Sequence, residues 1–318
     1  MKIIKISGKI CMALMVFCLV SCDRDAIYNE ELYKTVVYLL SGTQNIYTES
    51  YTLKENEPVK YISVGVGGSN ANTQEISVVL DEDNNDLFNK YNRDNFDINT
   101  EAYARLLPAS RYRILAYTVS IPAGATEQYA RVPVVVNPHG LSPDSTYFIP
   151  MVIKSLNRYE VNEEKKNMLF RVTIENEYAR QQVLTQYVKK GEIREQSRPE
   201  YPVTLSGSKV LQPLTKNKVR LFVGNYIQNQ NTTVADIERY AIVVNVNEDN
   251  TIDFTPYGTI EVEKLELKDY NIYDPNVLQG TKIQRVFYMY YRYRIMGTNG
   301  VYGEWMIARE TLTRVEED

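Results

Sequence analysis

The most regular pattern in the chain lies in "RVFYMYYRYRIMGTNGVYGEWMIARETLTR", Arg285–Arg314. Its first half alternates two kinds of side chain with a period of two, the repeat of a β-strand that buries one face. The apolar set, which is the better core candidate, consists of Phe287, Met289, Tyr291, Tyr293 and Ile295. The opposite set, a polar aromatic face that is either solvated or directed at a ligand, consists of Tyr288, Tyr290, Arg292 and Arg294. Because a turn signal follows at Gly297–Gly300, the stretch predicts a long β-hairpin.

Strands of the same kind are predicted along most of the remaining sequence. They cover Thr35–Leu40, Lys60–Gly68, Glu75–Asp81, Arg131–Asn137, Tyr147–Leu156, Met168–Asn176, Lys218–Ile227, a hairpin at Tyr240–Gly258, and Gly258–Leu267. Clusters rich in Gly, Asn, Pro and Ser separate them. One helix is predicted at Asn84–Arg93, with Asn84 or Asn85 as its N-cap. This spacing favours an all-β chain whose first half is an antiparallel sandwich.

The N-terminus has the form of an export signal. Three lysines precede an apolar run of 11 residues, Ile10–Val20, which is too short to span a bilayer as a helix. The run ends in Leu19-Val20-Ser21-Cys22, the pattern of a bacterial lipobox, in which Cys22 becomes the acylated first residue of the mature protein. The alternative is an ordinary signal peptide that happens to contain a cysteine. The acidic residues in Asp23–Asp25 resemble a surface-export signal of Bacteroidetes lipoproteins.

Composition limits the classes of function. The three cysteines, Cys11, Cys18 and Cys22, all lie in the leader or at its end, so the mature chain has neither a disulfide nor a thiolate metal site. The formal net charge of −4 lacks the basic excess of a nucleic-acid-binding protein. The chain has 26 tyrosines but one tryptophan and eight phenylalanines. Tyrosine favours strands, and its flat ring with a polar tip also suits contact with carbohydrate.

The inventory of reactive side chains argues against catalysis. His139 is the one histidine in the chain. A Ser-His-Asp triad with any other histidine is therefore excluded, and so is a zinc site with several histidine ligands. Asp81–Asp86 lacks the glycine of a calcium loop. Paired carboxylates alone could hydrolyse glycosides, but the chain lacks the alternation of strands and helices that a barrel hydrolase requires. We therefore expect no catalytic residue, no metal and no cofactor.

Four motifs in the first half occur together in one known family. They are Tyr91-Asn92, Leu107–Tyr112 (Leu-Pro-x-Ser-x-Tyr), Ile121–Gly124 (Ile-x-x-Gly) and Tyr147–Pro150 (Tyr-x-x-Pro). In this order they resemble the Ig-like N-terminal domain of Bacteroidetes surface lipoproteins of polysaccharide-utilisation systems. The closing segment from Tyr290 to Arg314 resembles the lipocalin-like C-terminal domain of the members that only bind glycan. Other members carry a glycosidase domain, for which this chain has no room.

These observations give a domain map. Residues 1–21 are a lipoprotein signal peptide and 22–34 an anchor linker. Residues 35–176 are the Ig-like β-sandwich, 177–199 a partly helical linker, and 200–318 a β-barrel-like or sandwich domain. The fold class expected is all-β.

The resemblance implies a non-catalytic lipoprotein on the outer membrane, facing the cell exterior. It would bind oligosaccharide or glycan for uptake, with an outer-membrane transporter complex as a possible partner and no nucleic acid. The first alternative is a structural or adhesive surface lipoprotein, such as a pilus-type or assembly subunit. An endoglycosidase is the least favoured reading.

Sugar rings present apolar C–H faces that aromatic rings cover, and hydroxyls that polar side chains bind. Trp305 is therefore the expected stacking platform in the C-terminal domain. Its expected partners are Tyr302, three residues before it, and Tyr226, Asn229 and Tyr257 in loop positions. Tyr302 and Trp305 would point to opposite faces of a regular strand, so both can contribute only if Gly303 bends the chain. Trp305 in the core is the alternative.

Acylation at Cys22 can be tested directly. Replacing Cys22 with alanine removes the thiol that would carry the lipid, so the protein should move from the membrane to the soluble fraction. Metabolic labelling with palmitate measures the modification, and Cys18→Ala, inside the leader, is the matched control. Labelling that persists in Cys22→Ala would contradict the assignment.

Overall fold

The structure is a computed structural model that describes residues 34–68, 72–83, 85–181, 185–229 and 231–315. Cys22, the leader and most of the anchor linker therefore lie outside the described residues. Strands dominate the chain, which confirms the all-β class. No helix among the described residues is long and apolar enough to cross a membrane.

The N-terminal half is a sandwich of two sheets. Its strands are β1 (Val36–Leu39), β2 (Ile46–Thr52), β3 (Val59–Gly67), β4 (Ile76–Glu82), β5 (Arg105–Leu106), β6 (Tyr112–Ile114), β7 (Thr118–Ile121), β8 (Tyr129–Val136), β9 (Tyr147–Leu156), β10 (Glu160–Val161) and β11 (Asn167–Glu175). One sheet has the order β10-β1-β3-β8-β6, and the other β2-β11-β9-β4-β7 with β5 beside β9. Most neighbours are antiparallel, but β1 with β10, β2 with β11 and β5 with β9 are parallel. Apolar side chains from both inner faces form one core between the sheets.

The predicted helix is present as α1, Asp86–Phe96, and it covers part of the second sheet. Its Tyr91 ring packs edge-on against Phe148 with centroids 4.9 Å apart. The buried Asn92 amide accepts a hydrogen bond from Ala104 N and donates one to Ala104 O. The Tyr-Asn motif is therefore structural. Asn85 occupies the N-cap position, but its side chain makes no capping hydrogen bond, and Asn84 lies outside the described residues.

The C-terminal half is a single, strongly curled sheet. Its elements are β12 (Thr185–Glu195), β13 (Val203–Thr215), β14 (Lys218–Phe222), α2 (Val234–Tyr240), β15 (Ala241–Val246), β16 (Ile252–Pro256), β17 (Glu261–Lys264), β18 (Ile272–Gln279), β19 (Lys282–Arg294) and β20 (Met306–Val315). The order is β16-β15-β14-β13-β12-β20-β19-β17, and β18 also pairs with β19. A bridge between Thr251 and Ile272 links the two ends, so the sheet forms a nearly closed barrel.

The hairpin predicted from Arg285–Arg314 is formed by β19 and β20. Its expected core face is confirmed: Phe287, Met289, Tyr291 and Tyr293 are buried in the barrel, and Ile295 packs partly against them. The opposite face is half-exposed.

The prediction of a partly helical linker at 177–199 is wrong. Thr185–Glu195 is strand β12, which lies between β13 and β20 in the middle of the barrel sheet, and the described part of the segment contains no helix. Tyr178 already belongs to the second core, so the C-terminal domain begins before residue 200. The sequence pattern does not indicate this strand, because the inward-facing Lys189 interrupts the alternation of apolar and polar side chains.

A network of charged groups is enclosed within the barrel. Lys209 Nζ donates to both oxygens of Glu310, at 2.8 and 2.6 Å, and the Tyr291 hydroxyl donates to Glu310 Oε1 at 2.5 Å. Both ionic side chains are essentially inaccessible to solvent. Burial lowers the pKa of the Lys209 ammonium, an effect that the Glu310 carboxylate opposes. Burial and Glu310 raise the pKa of Tyr291 well above its ordinary value, so its hydroxyl stays protonated.

A second buried charge joins the two domains. Arg220 on β14 makes two hydrogen bonds of 2.5 and 2.6 Å to Asp144, which lies in the loop before β9. Nearby, Gln181 donates to the carbonyls of Pro143 and Ser145. Asn176 donates to the carbonyls of Thr215 and Lys218. The sandwich and the barrel are therefore tied together by directional bonds at the point where the chain passes between them.

Neutralising Glu310 should destabilise the protein strongly. Glu310→Gln keeps the shape of the side chain but leaves the buried Lys209 ammonium uncompensated, and breaking a buried pair in this way costs about 3–5 kcal/mol. Urea unfolding measures the loss. The control is Glu57→Gln, which breaks an exposed pair with Arg113 and should cost less than about 1 kcal/mol. Equal losses in the two variants would contradict this account of the network.

Candidate functional site

A loop leaves the barrel sheet directly after β14 and carries two of the predicted site residues. The predicted strand Lys218–Ile227 stops at Phe222, because Gly224 has a left-handed backbone with φ of 53°. The hydroxyl of Tyr293 occupies the space that a side chain at Gly224 would need. A residue other than glycine would have a strained backbone at this position and would clash with the Tyr293 hydroxyl. The turn that ends β14 therefore requires glycine at position 224.

The interior of the barrel holds this loop in place. Lys189 Nζ donates to Gly224 O at 3.1 Å and to Asn225 Oδ1 at 2.9 Å. Burial and the nearby Lys209 lower the pKa of Lys189. Lys189 therefore holds the start of the loop from the interior of the barrel, where the Lys209–Glu310 pair also lies.

The loop and α2 form an aromatic shelf. Tyr226 stacks on Tyr240 with ring centroids 4.1 Å apart and planes inclined by 15°. Tyr240 is the last residue of α2, and a capping box between Thr233 and Asp236 fixes the start of that helix. The Tyr226 side chain is 42% exposed, so its ring is accessible.

Polar side chains surround this shelf in a groove of about 540 Å³. We call it the Tyr226 groove; its lining includes Gln186, Ser208, Tyr226, Gln228, Asn229 and Asn231. The side-chain oxygen of Gln228 is buried and has no hydrogen-bond partner among the described residues. Asn229 Oδ1 accepts a bond from Asn231 N at 2.8 Å. The groove thus combines a stacked ring with amide groups, which can serve a ligand that has both C–H faces and hydroxyls.

Trp305 and Tyr302 lie in a second cluster, which does not line the Tyr226 groove. The Arg294 guanidinium is 4.8 Å from the centre of the Tyr302 ring and 4.7 Å from that of Trp305. Arg292 lies 4.5 Å from the Trp305 ring. Gly303 to Trp305 lie outside any regular strand, before β20 begins, and the Tyr302 and Trp305 rings both lie close to Arg294. Trp305 is half-buried against these cations rather than enclosed in the core.

Tyr257 occupies a third place. Its ring lies 4.9 Å from the guanidinium of Arg220, the residue that pairs with Asp144 between the domains. The five predicted glycan-binding residues are therefore found in three groups: Tyr226 with Asn229, Tyr302 with Trp305, and Tyr257. That any of them binds glycan stays a prediction.

Two residues were not among the predicted site residues: Gln186, which lines the Tyr226 groove, and Tyr240, which supports Tyr226 by stacking. The sequence predicts a linker where Gln186 lies on β12, and the start of a strand where Tyr240 ends α2. The Thr233–Asp236 capping box was the available signal for the helix that places Tyr240. Within the described part of the chain, no group of three or more His, Cys, Asp or Glu side chains is arranged to hold a metal ion.

Comparisons with known proteins bear on both halves of the chain. One family model, described as an N-terminal domain, matches residues 29–160, and a second, described as a C-terminal domain, matches residues 166–313. The chain carries both of these family domains. Strand β11 belongs to the N-terminal sandwich in the structure but lies within the residues matched by the C-terminal family model. The boundary between the two matches therefore falls one strand before the boundary between the two structural domains. Comparison with curated proteins gave no significant match.

Several solved structures from Bacteroides share the two-domain fold. A protein of unknown function from Bacteroides ovatus superimposes with a TM-score of 0.67 at 17% identity, covering 89% of this chain and 95% of its own. A multidomain protein from the same species gives 0.64 at 17%, with 88% and 94% covered. An auxiliary nutrient binding protein from Bacteroides thetaiotaomicron gives 0.58 at 13%, with 86% and 92% covered. At these identities the similarity establishes the fold alone.

The anchoring of the loop by Lys189 can be tested by hydrogen exchange. Lys189→Met removes the donor to Gly224 O and Asn225, so amide exchange in residues 224–229 should accelerate about tenfold or more, while the N-terminal sandwich is unchanged. Lys190→Met, the adjacent lysine on the exposed face of β12, is the control and should have no such effect. The anchoring role is wrong if the two variants exchange alike.

Proposed function

We propose that the chain is a non-catalytic glycan-binding protein whose Tyr226 groove holds an oligosaccharide. The observation that carries the proposal is the stacked, exposed Tyr226–Tyr240 pair bordered by the amides of Gln186, Gln228 and Asn229. A pyranose ring can cover the tyrosine face with its C–H groups while its hydroxyls bond the amides. The side-chain amides that line the groove can both donate and accept hydrogen bonds with sugar hydroxyls.

The groove is already shaped for binding, which favours a receptor over a flexible surface. Its loop is fixed by Lys189, and Tyr226 is fixed by stacking on the capped helix α2. Ligand binding therefore costs little ordering entropy. The description of one structural relative as an auxiliary nutrient binding protein supports nutrient capture as the purpose of binding.

Location forms part of the same proposal. The lipobox ending at Cys22 supports a lipid-anchored protein of the outer membrane, and the acidic residues after it support display on the cell exterior. There the protein would capture oligosaccharide for a transporter of a polysaccharide-utilisation system. The inventory of reactive groups supports a role without catalysis: His139 lies in a loop, and its Nε2 is 3.1 Å from the backbone oxygen of Glu55.

A glycan array probed with residues 23–318 tests binding, and a tyrosine variant tests the site. Tyr226→Ala removes the stacking face, which by analogy with base stacking contributes about 1–3 kcal/mol, so affinity should fall about 5- to 100-fold. The control is Tyr201→Ala, which removes a 70% exposed tyrosine of the same domain that does not line the Tyr226 groove.

Trp305→Ala in the same assay separates the two aromatic clusters. If Tyr226 carries binding, Trp305→Ala should retain the affinity of the parent, because its ring already packs against Arg292 and Arg294. Loss of binding in Trp305→Ala alone, with an intact circular dichroism spectrum, would move the site to the second cluster. Failure of the parent to bind any glycan would overturn the proposal and favour a structural or adhesive role.

A further inference from the structure

The outer face of the N-terminal sandwich carries a groove that sequence reasoning did not identify. On β3, Ile62 and Val64 point into the core, so Tyr61, Ser63 and Gly65 lie on the outer face. Strand register places larger side chains beside the two small ones, Ser63 and Gly65. Tyr38 of β1 and Tyr129 of β8 both pair with Gly65.

The same arrangement repeats one step along the strand. Ser63 pairs with Arg131 of β8, and Leu40 N donates to Ser63 O on the other side. Small residues in the middle strand therefore form a floor between two walls of large side chains. We call this the β3 trough; it has a volume of about 580 Å³. From Tyr61 to Gly65 it extends about 13 Å, at the usual rise of a strand.

The floor depends on the glycine. A side chain at Gly65 would approach the Tyr38 ring to 2.8 Å, so the ring lies across the glycine. Arg131 organises the opposite wall: its guanidinium donates to the Tyr129 hydroxyl at 2.9 Å and lies 5.1 Å from that ring and 5.9 Å from the Tyr61 ring. Tyr61 is 43% exposed at one end of the trough.

We infer that the β3 trough is a second oligosaccharide-binding site, separate from the Tyr226 groove. This inference rests on the proposed function, since it assigns the same class of ligand. Tyrosine faces would cover the C–H faces of a short sugar chain. Three polar side chains border the trough: Arg131, Gln128 and Glu49. Together they can donate hydrogen bonds to the sugar hydroxyls and accept hydrogen bonds from them.

Other occupants fit the trough less well. An added peptide strand needs a free sheet edge, but β3 is already paired on both sides, with β1 and β8. An amphipathic helix needs a broad apolar surface, whereas Leu40 and Val66 are the aliphatic side chains among the lining residues. Tyrosine rings with a polar border are what a neutral, hydroxyl-rich ligand requires.

Native mass spectrometry of residues 23–318 counts the sugars bound to each chain. The probes are maltoheptaose, xylohexaose and mannohexaose, each tested separately. For a probe that binds, the parent should take up two molecules, and Tyr61→Ala/Tyr129→Ala should take up one. Ser63→Phe, which fills the floor without removing a tyrosine, should also take up one. Tyr159→Ala, an exposed tyrosine of the same domain outside the trough, is the control and should retain two.

The outcomes separate this inference from the proposed function. A single sugar in the parent that persists in both trough variants and is lost in Tyr226→Ala overturns the second site and leaves the proposed function standing. A single sugar lost in the trough variants but retained in Tyr226→Ala supports the trough and contradicts the C-terminal site. Absence of binding to every probe overturns both.

Discussion

The buried carboxylate of Glu310 is the constraint on which the C-terminal domain depends. It is enclosed by the barrel and accepts hydrogen bonds from Lys209 and Tyr291, so the interior must supply polar groups as well as apolar ones. Glu310 lies opposite Gly191 of β12, where a side chain would come within 2.8 Å of the Glu310 Cα. The glycine lets β20 approach closely at this point. A buried pair of this kind is costly to break, so its geometry is held firmly.

A lysine in the same barrel interior also holds the surface loop that carries Tyr226. Lys189 shares the interior with Lys209 and uses its ammonium to hold the carbonyl of Gly224. The loop that follows presents Tyr226, whose ring is supported from below by Tyr240. Two contacts within the protein therefore shape the groove: Lys189 holds the start of the loop by hydrogen bonds, and Tyr240 supports Tyr226 by stacking.

The sequence predicts well those strands whose inner faces are wholly apolar. Tyr147–Leu156 forms a strand with the predicted bounds, and the apolar face of β19 is buried as expected. Strand β12 could not be predicted, because its inward positions include Lys189, whose partners come from distant parts of the chain. A lysine directed inward is recognisable only when the strands that surround it are known.

The candidate sites likewise differ in whether they can be predicted from neighbouring residues in the sequence or only from strand pairing. Tyr226 and Asn229 were identified because a loop after a strand is a common place for binding residues. The β3 trough depends on register: Tyr38 and Tyr129 meet across Gly65 although 91 positions separate them in the sequence. The high tyrosine content of the sequence is compatible with carbohydrate contact, but composition does not indicate which tyrosines are neighbours in the fold.

The central claim is that exposed tyrosines in formed grooves bind oligosaccharide. Fluorotyrosine NMR of residues 23–318, titrated with an oligosaccharide that the protein binds, tests it most directly, because each ring reports its own environment. The account predicts that the resonance of Tyr226 shifts with its stacking partner Tyr240, while those of the core residues Tyr51 and Tyr187 stay fixed. Shifts confined to tyrosines outside the grooves, such as Tyr201, would contradict it.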